Sequence, residues 1–106
     1  MAVITKVYRH VVLFKFRPDS GEDTLRDIEA AFARLAAELP FVRGLEWGRN
    51  SSPEGLNHGY THCFIVTFDD AAGRDAYLPH PAHRDFCRTY LDPALEDVCV
   101  LDFAPE

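Results

Sequence analysis

The chain has 106 residues, a length typical of a single domain (1–106, with its core over about 8–105), and 47% of them are hydrophobic, which argues against disorder. The formal net charge of −6 and the absence of a Lys/Arg cluster argue against nucleic acid as a partner. The 3 cysteines fit no CxxC-type motif, which favours free thiols in a reducing compartment. The longest apolar run near the start, 11–14, is too short for a signal peptide or a membrane span, so we expect a cytoplasmic protein with no membrane partner.

The predicted elements, in chain order, are a strand, a helix, two strands, two short helices and a strand. Apolar residues at helical spacing indicate a first helix over 25–39, and Pro81 begins the last helix, which we expect to reach about residue 91. β-branched and aromatic residues indicate strands at 7–17, 42–49, 60–68 and 97–103. This order predicts a ferredoxin-like α+β fold, a four-stranded antiparallel sheet with its helices on one face.

The predicted strands are apolar on both faces. In the first strand Val12, Phe14 and Phe16 share one face, and Val11 and Leu13 share the other. The third and fourth strands repeat this pattern. Because the helices can cover only one face, we expect a second copy of the chain to cover the other. The sequence therefore predicts a homodimer through the sheet face, that is, a dimeric α+β barrel.

A phenol and two imidazoles lie close together at the break between the two short helices. Pro81 favours the first helical position, with His80 immediately before it. His83 then shares a helical stripe with Phe86, so we expect it to face the interior, near Tyr77. A buried imidazole needs a partner or a cavity, and a core histidine bonded to a backbone carbonyl is the alternative that this segment leaves open.

Two further histidines each begin an apolar strand face. His10 precedes the apolar face of the first strand, and His62 that of the third. If the helices cover these faces, His10 and His62 converge with Tyr77 and His83 at one end of an apolar cavity, as candidate catalytic residues. The predicted wall of this substrate pocket consists of Val12, Phe14, Phe16, Phe32, Phe64 and Phe86.

Neither a metal nor a cofactor is expected. Only His58 with His62 and His80 with His83 have a spacing that suggests ligand pairs, and no acidic residue has an obvious place beside either pair. The sequence contains no P-loop and no glycine-rich dinucleotide motif. Any chemistry would therefore depend on side chains alone.

Over residues 8–105 the sequence resembles the stress-responsive A/B barrel (Dabb) family. The resemblance is carried by His-Val-Val-Leu-Phe-Lys-Phe from His10, Gly-Tyr-Thr-His ending at His62, Tyr-Leu-Pro-His-Pro-Ala-His from Tyr77 to His83, and Asp-Phe-Ala-Pro near the end. The family forms dimeric α+β barrels, and one plant member is a polyketide cyclase that closes a ring by an aldol condensation without a cofactor. By that resemblance His83 would be the general base and Tyr77 the donor to the developing oxyanion. His10 and His62 would orient or polarise the substrate.

The sequence leaves several functions open. The first is a cofactor-free acid–base enzyme, such as a cyclase, lyase or isomerase, that acts on a small hydrophobic or aromatic carbonyl ligand. The second is a non-catalytic dimeric ligand-binding or stress-response protein. A cofactor-free monooxygenase is a third, by fold analogy alone. The enzyme hypothesis predicts that His83 and Tyr77 share an open apolar cavity, whereas a filled cavity with His83 bonded only to backbone favours the second.

Overall fold

The fold is a four-stranded antiparallel sheet with helices packed against one face. The computed structural model describes residues 6–106. Its strands are β1 (Tyr8–Phe16), β2 (Gly44–Arg49), β3 (His62–Phe68) and β4 (Leu95–Phe103), in the spatial order β2-β3-β1-β4. Helix α1 (Glu22–Glu38) joins β1 to β2, and helices α2 (Ala71–Tyr77) and α3 (Pro81–Phe86) lie between β3 and β4. The predicted ferredoxin-like α+β fold is confirmed.

The core lies between the inner face of the sheet and the helices. Alternate residues of β1 and β3 are buried there, as the period of two predicts. Helix α1 contributes Ile28, Phe32 and Leu35, and the ring of Phe32 stacks on Phe64 with centroids 4.5 Å apart. The buried inner-face residues of the two strands are His10, Val12, Phe14, His62, Phe64, Val66 and Phe68.

The last helix changes its hydrogen-bonding pattern halfway. After α3 the chain continues in a π-helical turn, Cys87–Leu91, in which the Asp92 N–H donates to the Cys87 carbonyl at 2.9 Å. The wider turn adds a residue to the helix and is frequent beside functional sites. None of the helices within residues 6–106 combines the length and the apolar character that crossing a lipid bilayer requires.

The outer face of the sheet is also apolar. Val11 and Leu13 of β1 and Ile65 of β3 are half-buried there, and Leu101 of β4 is 66% exposed. The registers place these side chains side by side, because Val11 pairs with both Ile65 and Leu101. An exposed apolar face of this kind is typical of a contact surface.

Candidate active site

An apolar cavity of about 260 Å³ lies between the inner face of the sheet and the helices. Leu78, Val98 and Val100 are 41%, 43% and 51% exposed, so the cavity opens to solvent where they line it. Its polar lining includes His10, Tyr77, His83, Cys87 and Asp92. The cavity thus combines a mostly hydrophobic wall with a few side chains able to donate or accept protons.

Tyr77 brings an unpaired hydroxyl group to this cavity. It is the last residue of α2 and is 1% exposed, and its hydroxyl takes part in none of the side-chain hydrogen bonds found within residues 6–106. No side-chain nitrogen or oxygen in the described part of the chain is both sealed from solvent and unpaired. The Tyr77 side chain lines the cavity. Burial raises the pKa of the Tyr77 phenol well above its ordinary value, so it stays a hydrogen-bond donor.

The break between α2 and α3 orients His83. In a continuous helix the N–H of residue 82 would donate to the Leu78 carbonyl. Here the Ala82 N–H donates to Nδ1 of His80 instead, at 3.1 Å. The Leu78 carbonyl accepts from Nδ1 of His83 at 2.9 Å. Because a carbonyl can only accept, the proton of the neutral His83 ring lies on Nδ1 and its lone pair on Nε2.

His83 is placed to act as a base beside Tyr77. The two rings lie with centroids 4.4 Å apart, and Nε2 of His83 is 3.5 Å from Sγ of Cys87. Burial lowers the pKa of the His83 imidazole, which favours the neutral form that can accept a proton near pH 7. The predicted proximity of His83 and Tyr77 within one cavity is therefore observed.

His10 lines the same cavity and is held by a carboxylate. Its Nδ1 lies 2.7 Å from Oδ1 of Asp102, the residue directly opposite it on β4. The other oxygen of Asp102 accepts from Nη1 of Arg74 at 2.6 Å. The His10 ring packs edge-on against Tyr77, with centroids 5.9 Å apart. Because the carboxylate accepts from Nδ1, the neutral His10 ring keeps its lone pair on Nε2.

Asp102 and Arg74 were not among the predicted site residues. Arg74 also donates to the Tyr8 hydroxyl at 2.8 Å, so one guanidinium joins α2 to both β1 and β4. The signal that reveals Asp102 is the pairing of β1 with β4, which places it opposite His10. The apolar and polar pattern within one strand does not predict which residue of the neighbouring strand lies opposite it.

The structure does not bring His62 to this cavity, contrary to the expected convergence of four groups. His62 pairs with Phe14, four residues along β1 from His10. Its Nε2 lies 2.8 Å from Oε2 of the buried Glu29, and its Nδ1 lies 2.9 Å from Oγ1 of Thr61. Both ring nitrogens of His62 therefore have hydrogen-bond partners. The sequence prediction missed the carboxylate of Glu29, which α1 places against Nε2.

Four of the six predicted wall residues line the cavity, and two do not. Phe64 is fully buried in the stack between Phe32 and Trp47. Phe16 packs edge-on against His62, with centroids 5.0 Å apart. The residues that do line the cavity are Val12, Phe14, Phe32 and Phe86.

The two histidine pairs whose spacing suggests metal ligands have other surroundings. His80 caps α3 through Nδ1, and His58 lies in a turn at a φ of 53°. Within residues 6–106, no three His, Cys, Asp or Glu side chains are grouped as metal ligands. A metal-free and cofactor-free reaction stays a prediction from the sequence.

A larger groove of about 600 Å³ lies on the outer face of the sheet. It is lined by Leu13, Cys63 and Ile65, and by residues of the loop before β3. His62 reaches its edge, but both of its ring nitrogens are already paired. We therefore place the candidate chemistry in the inner cavity, where the Tyr77 phenol and the His83 imidazole lie.

Residues 8–105 match the family described as the Stress responsive A/B Barrel Domain. Stress-response A/B barrel domain-containing protein HS1 of Arabidopsis thaliana is 31% identical over 97 residues, which cover 92% of this chain and 88% of that protein. Olivetolic acid cyclase of Cannabis sativa is 26% identical over 97 residues, which cover 92% of this chain and 95% of that protein.

Solved structures show the same fold. Hydroxynitrile lyase from Passiflora edulis superimposes with a TM-score of 0.87 at 23% identity, covering 97% of this chain and 96% of that one. A dimeric ferredoxin-like protein of unknown function from Thermobifida fusca gives a TM-score of 0.77 at 27% identity, with coverage of 94% and 92%.

Proposed function

The chain belongs to the stress-responsive A/B barrel domain family, and we propose that it is a cofactor-free acid–base enzyme acting on a small hydrophobic or aromatic carbonyl compound. One observation carries the proposal. Within residues 6–106, a phenol that forms no hydrogen bond and an imidazole whose Nε2 carries the lone pair and contacts the Cys87 thiol share one apolar cavity that is open to solvent. The similarity to olivetolic acid cyclase, at 26% identity, favours carbonyl chemistry of the cyclase type.

The two side chains suit proton abstraction beside a carbonyl group. His83 accepts the proton at Nε2, and the electron pair moves to the carbonyl oxygen, where the Tyr77 hydroxyl donates a hydrogen bond. The apolar wall excludes water and strengthens that bond. In cyclisation the enolate carbon adds to a second carbonyl, whose oxygen takes the proton back from the His83 imidazolium. In isomerisation the imidazolium returns the proton to a different carbon of the extended enolate. His10, fixed by Asp102, orients or polarises the substrate.

Turnover assays on a panel of β-polyketo and 2-hydroxy carbonyl compounds test this proposal. We expect the wild type to convert at least one compound, and His83→Ala and Tyr77→Phe to lose about 100-fold or more in kcat. His58→Ala and Tyr60→Phe are matched controls, because they change the same residue types in the outer groove. Their turnover should equal that of the wild type. Wild-type inactivity across the panel, or full activity of His83→Ala, overturns the proposal.

One observation favours the non-catalytic, ligand-binding alternative. Nδ1 of His83 is bonded to a backbone carbonyl, as it is in many structural histidines. Thermal-shift measurements with the same compounds separate the two functions. Stabilisation by a compound that is never converted supports a binding protein, since binding to the folded state alone raises the Tm.

We also infer that two copies pack through the outer face of the sheet. Leu101 and Phe103 are 66% and 40% exposed on this face. Two solved structures described as dimeric ferredoxin-like proteins, at 27% and 26% identity, support the inference. Light scattering should give twice the 12.0 kDa chain mass for the wild type and a monomer for Leu101→Glu. Ala37→Glu, on the exposed side of α1, should stay dimeric. A monomeric wild type at micromolar concentration contradicts the inference.

A further inference from the structure

Cys87 places a thiol against Nε2 of His83. It is the first residue of the π-helical turn, and its side chain lines the cavity. Its Sγ lies 3.5 Å from Nε2 of His83, the ring nitrogen that carries the lone pair. Burial raises the pKa of the Cys87 thiol, so it is protonated at neutral pH and needs a base to become a nucleophile. The neighbouring imidazole is that base, as in other Cys–His pairs.

The other two cysteines have different surroundings. Cys63 and Cys99 lie on the outer face of the sheet, where both are opposite Leu13 in neighbouring strands. Within residues 6–106 neither forms a hydrogen bond to a histidine, whereas Cys87 does. Cys63 and Cys99 can therefore serve as reference thiols for Cys87 in the same protein, because only Cys87 contacts a histidine within the described residues.

A second feature of the cavity points to a carbonyl ligand near this thiol. The Tyr77 hydroxyl is unpaired within the described residues although the side chain is 1% exposed, and it lines the same cavity. A donor that lines a cavity and is paired with no described residue favours a ligand oxygen at that position. The cavity thus offers a nucleophile, a base and a donor for a developing oxyanion.

We propose that Cys87 is a covalent modification site for small α,β-unsaturated carbonyl compounds that enter this cavity. His83 takes the thiol proton at Nε2, and the sulfur forms a bond to the β-carbon of the compound. The π electrons of the carbon–carbon double bond move to the carbonyl oxygen, where Tyr77 donates a hydrogen bond. The imidazolium then returns the proton to the α-carbon. The product is a saturated thioether, and neither an oxidant nor a reductant is consumed.

The size and polarity of the cavity narrow the class of compound. Its volume of about 260 Å³ lies just below the range of about 300–1,000 Å³ typical of ligand pockets. We therefore expect compact enones, such as 2-cyclohexen-1-one, to react faster at Cys87 than extended ones. The addition needs the cavity and the thiol–imidazole contact but no turnover, so the absence of activity on the carbonyl panel leaves it intact.

The experiment uses a Cys63→Ser/Cys99→Ser variant, in which Cys87 is the only thiol. Intact-mass spectrometry should show the addition of one 2-cyclohexen-1-one, and adding Cys87→Ser should abolish it. His83→Gln should slow the addition about tenfold or more, because the base is lost. A Cys87 that stays unmodified, or that reacts at the same rate without His83, overturns the proposal.

Tyr77→Phe separates the proposed site from a thiol that is merely accessible. Iodoacetamide alkylates a thiol by displacement and develops no enolate oxygen. Tyr77→Phe should therefore slow the reaction with 2-cyclohexen-1-one about tenfold or more and leave that with iodoacetamide unchanged. Equal rates for 2-cyclohexen-1-one in the two proteins contradict the role of the phenol. Because the hydroxyl that this variant removes forms no hydrogen bond within residues 6–106, we expect Tyr77→Phe to fold like the wild type.

Discussion

Glu29 of α1 and His62 of β3 form a buried pair, with Oε2 of Glu29 2.8 Å from Nε2 of His62 and side chains 4% and 1% exposed. Arg26 and Arg49 also donate to the Glu29 carboxylate, each at 2.8 Å. Burial lowers the pKa of His62 more than the Glu29 carboxylate raises it, so the ring is neutral and donates from Nε2. Its Nδ1 then accepts from the Thr61 hydroxyl. Through Glu29, this cluster of hydrogen bonds links α1 to strands β2 and β3.

Replacing Glu29 with Ala should lower the free energy of unfolding by about 3 kcal/mol, because it leaves the buried His62 N–H and one side of Arg49 without an acceptor. Urea denaturation measures the change. Glu22→Ala is the matched control, since Glu22 binds the same Arg49 with its side chain 58% exposed, and it should have little effect. Equal stabilities of the two variants would show that the buried pair does not stabilise the fold.

Stability should increase as the pH rises toward about 6.5, the ordinary histidine pKa. Burial lowers the folded-state pKa of both His62 and His83 below the ordinary value. Over the interval between the folded and unfolded pKa values the unfolded chain binds more protons, so the free energy of unfolding rises with pH and then levels off. Urea denaturation at intervals across this range measures it, and His83→Gln should reduce the slope. A stability that falls as the pH rises through this interval contradicts the assignment.

Tyr77→Phe should leave the fold stable, within about 1 kcal/mol of the wild type, because the hydroxyl it removes has no partner in the described part of the chain. Tyr77→Ala should cost about 3–5 kcal/mol, since it removes a fully buried ring. Urea denaturation of both variants checks the contrast. A large loss for Tyr77→Phe would mean that the hydroxyl has a structural acceptor.

The sequence predicts the face of the sheet on which each strand histidine lies, because alternation along a strand is a local property. It also predicts the break between the two short helices that orients His83, because a proline acts on the backbone beside it. The position of His62 relative to the helices depends on register and packing, so the predicted convergence with His10 failed. The sequence does contain an indication of Glu29, the residue that pairs with His62. Glu29 lies four residues after Leu25 and three before Phe32, on the apolar stripe of α1.

Asp102→Asn should release His10 from its single tautomer, because the carboxylate that accepts from Nδ1 is replaced by an amide that can also donate. Long-range ¹⁵N–¹H spectra should show Nδ1 protonated in the neutral wild-type ring and a mixture in the variant. If His10 orients the substrate, kcat should fall at least about tenfold with a smaller change in KM. Asp75→Asn is the matched control, since Asp75 accepts from Nε of Arg74 at 2.8 Å and does not contact His10. An unchanged His10 spectrum in Asp102→Asn would show that β4 does not set the tautomer.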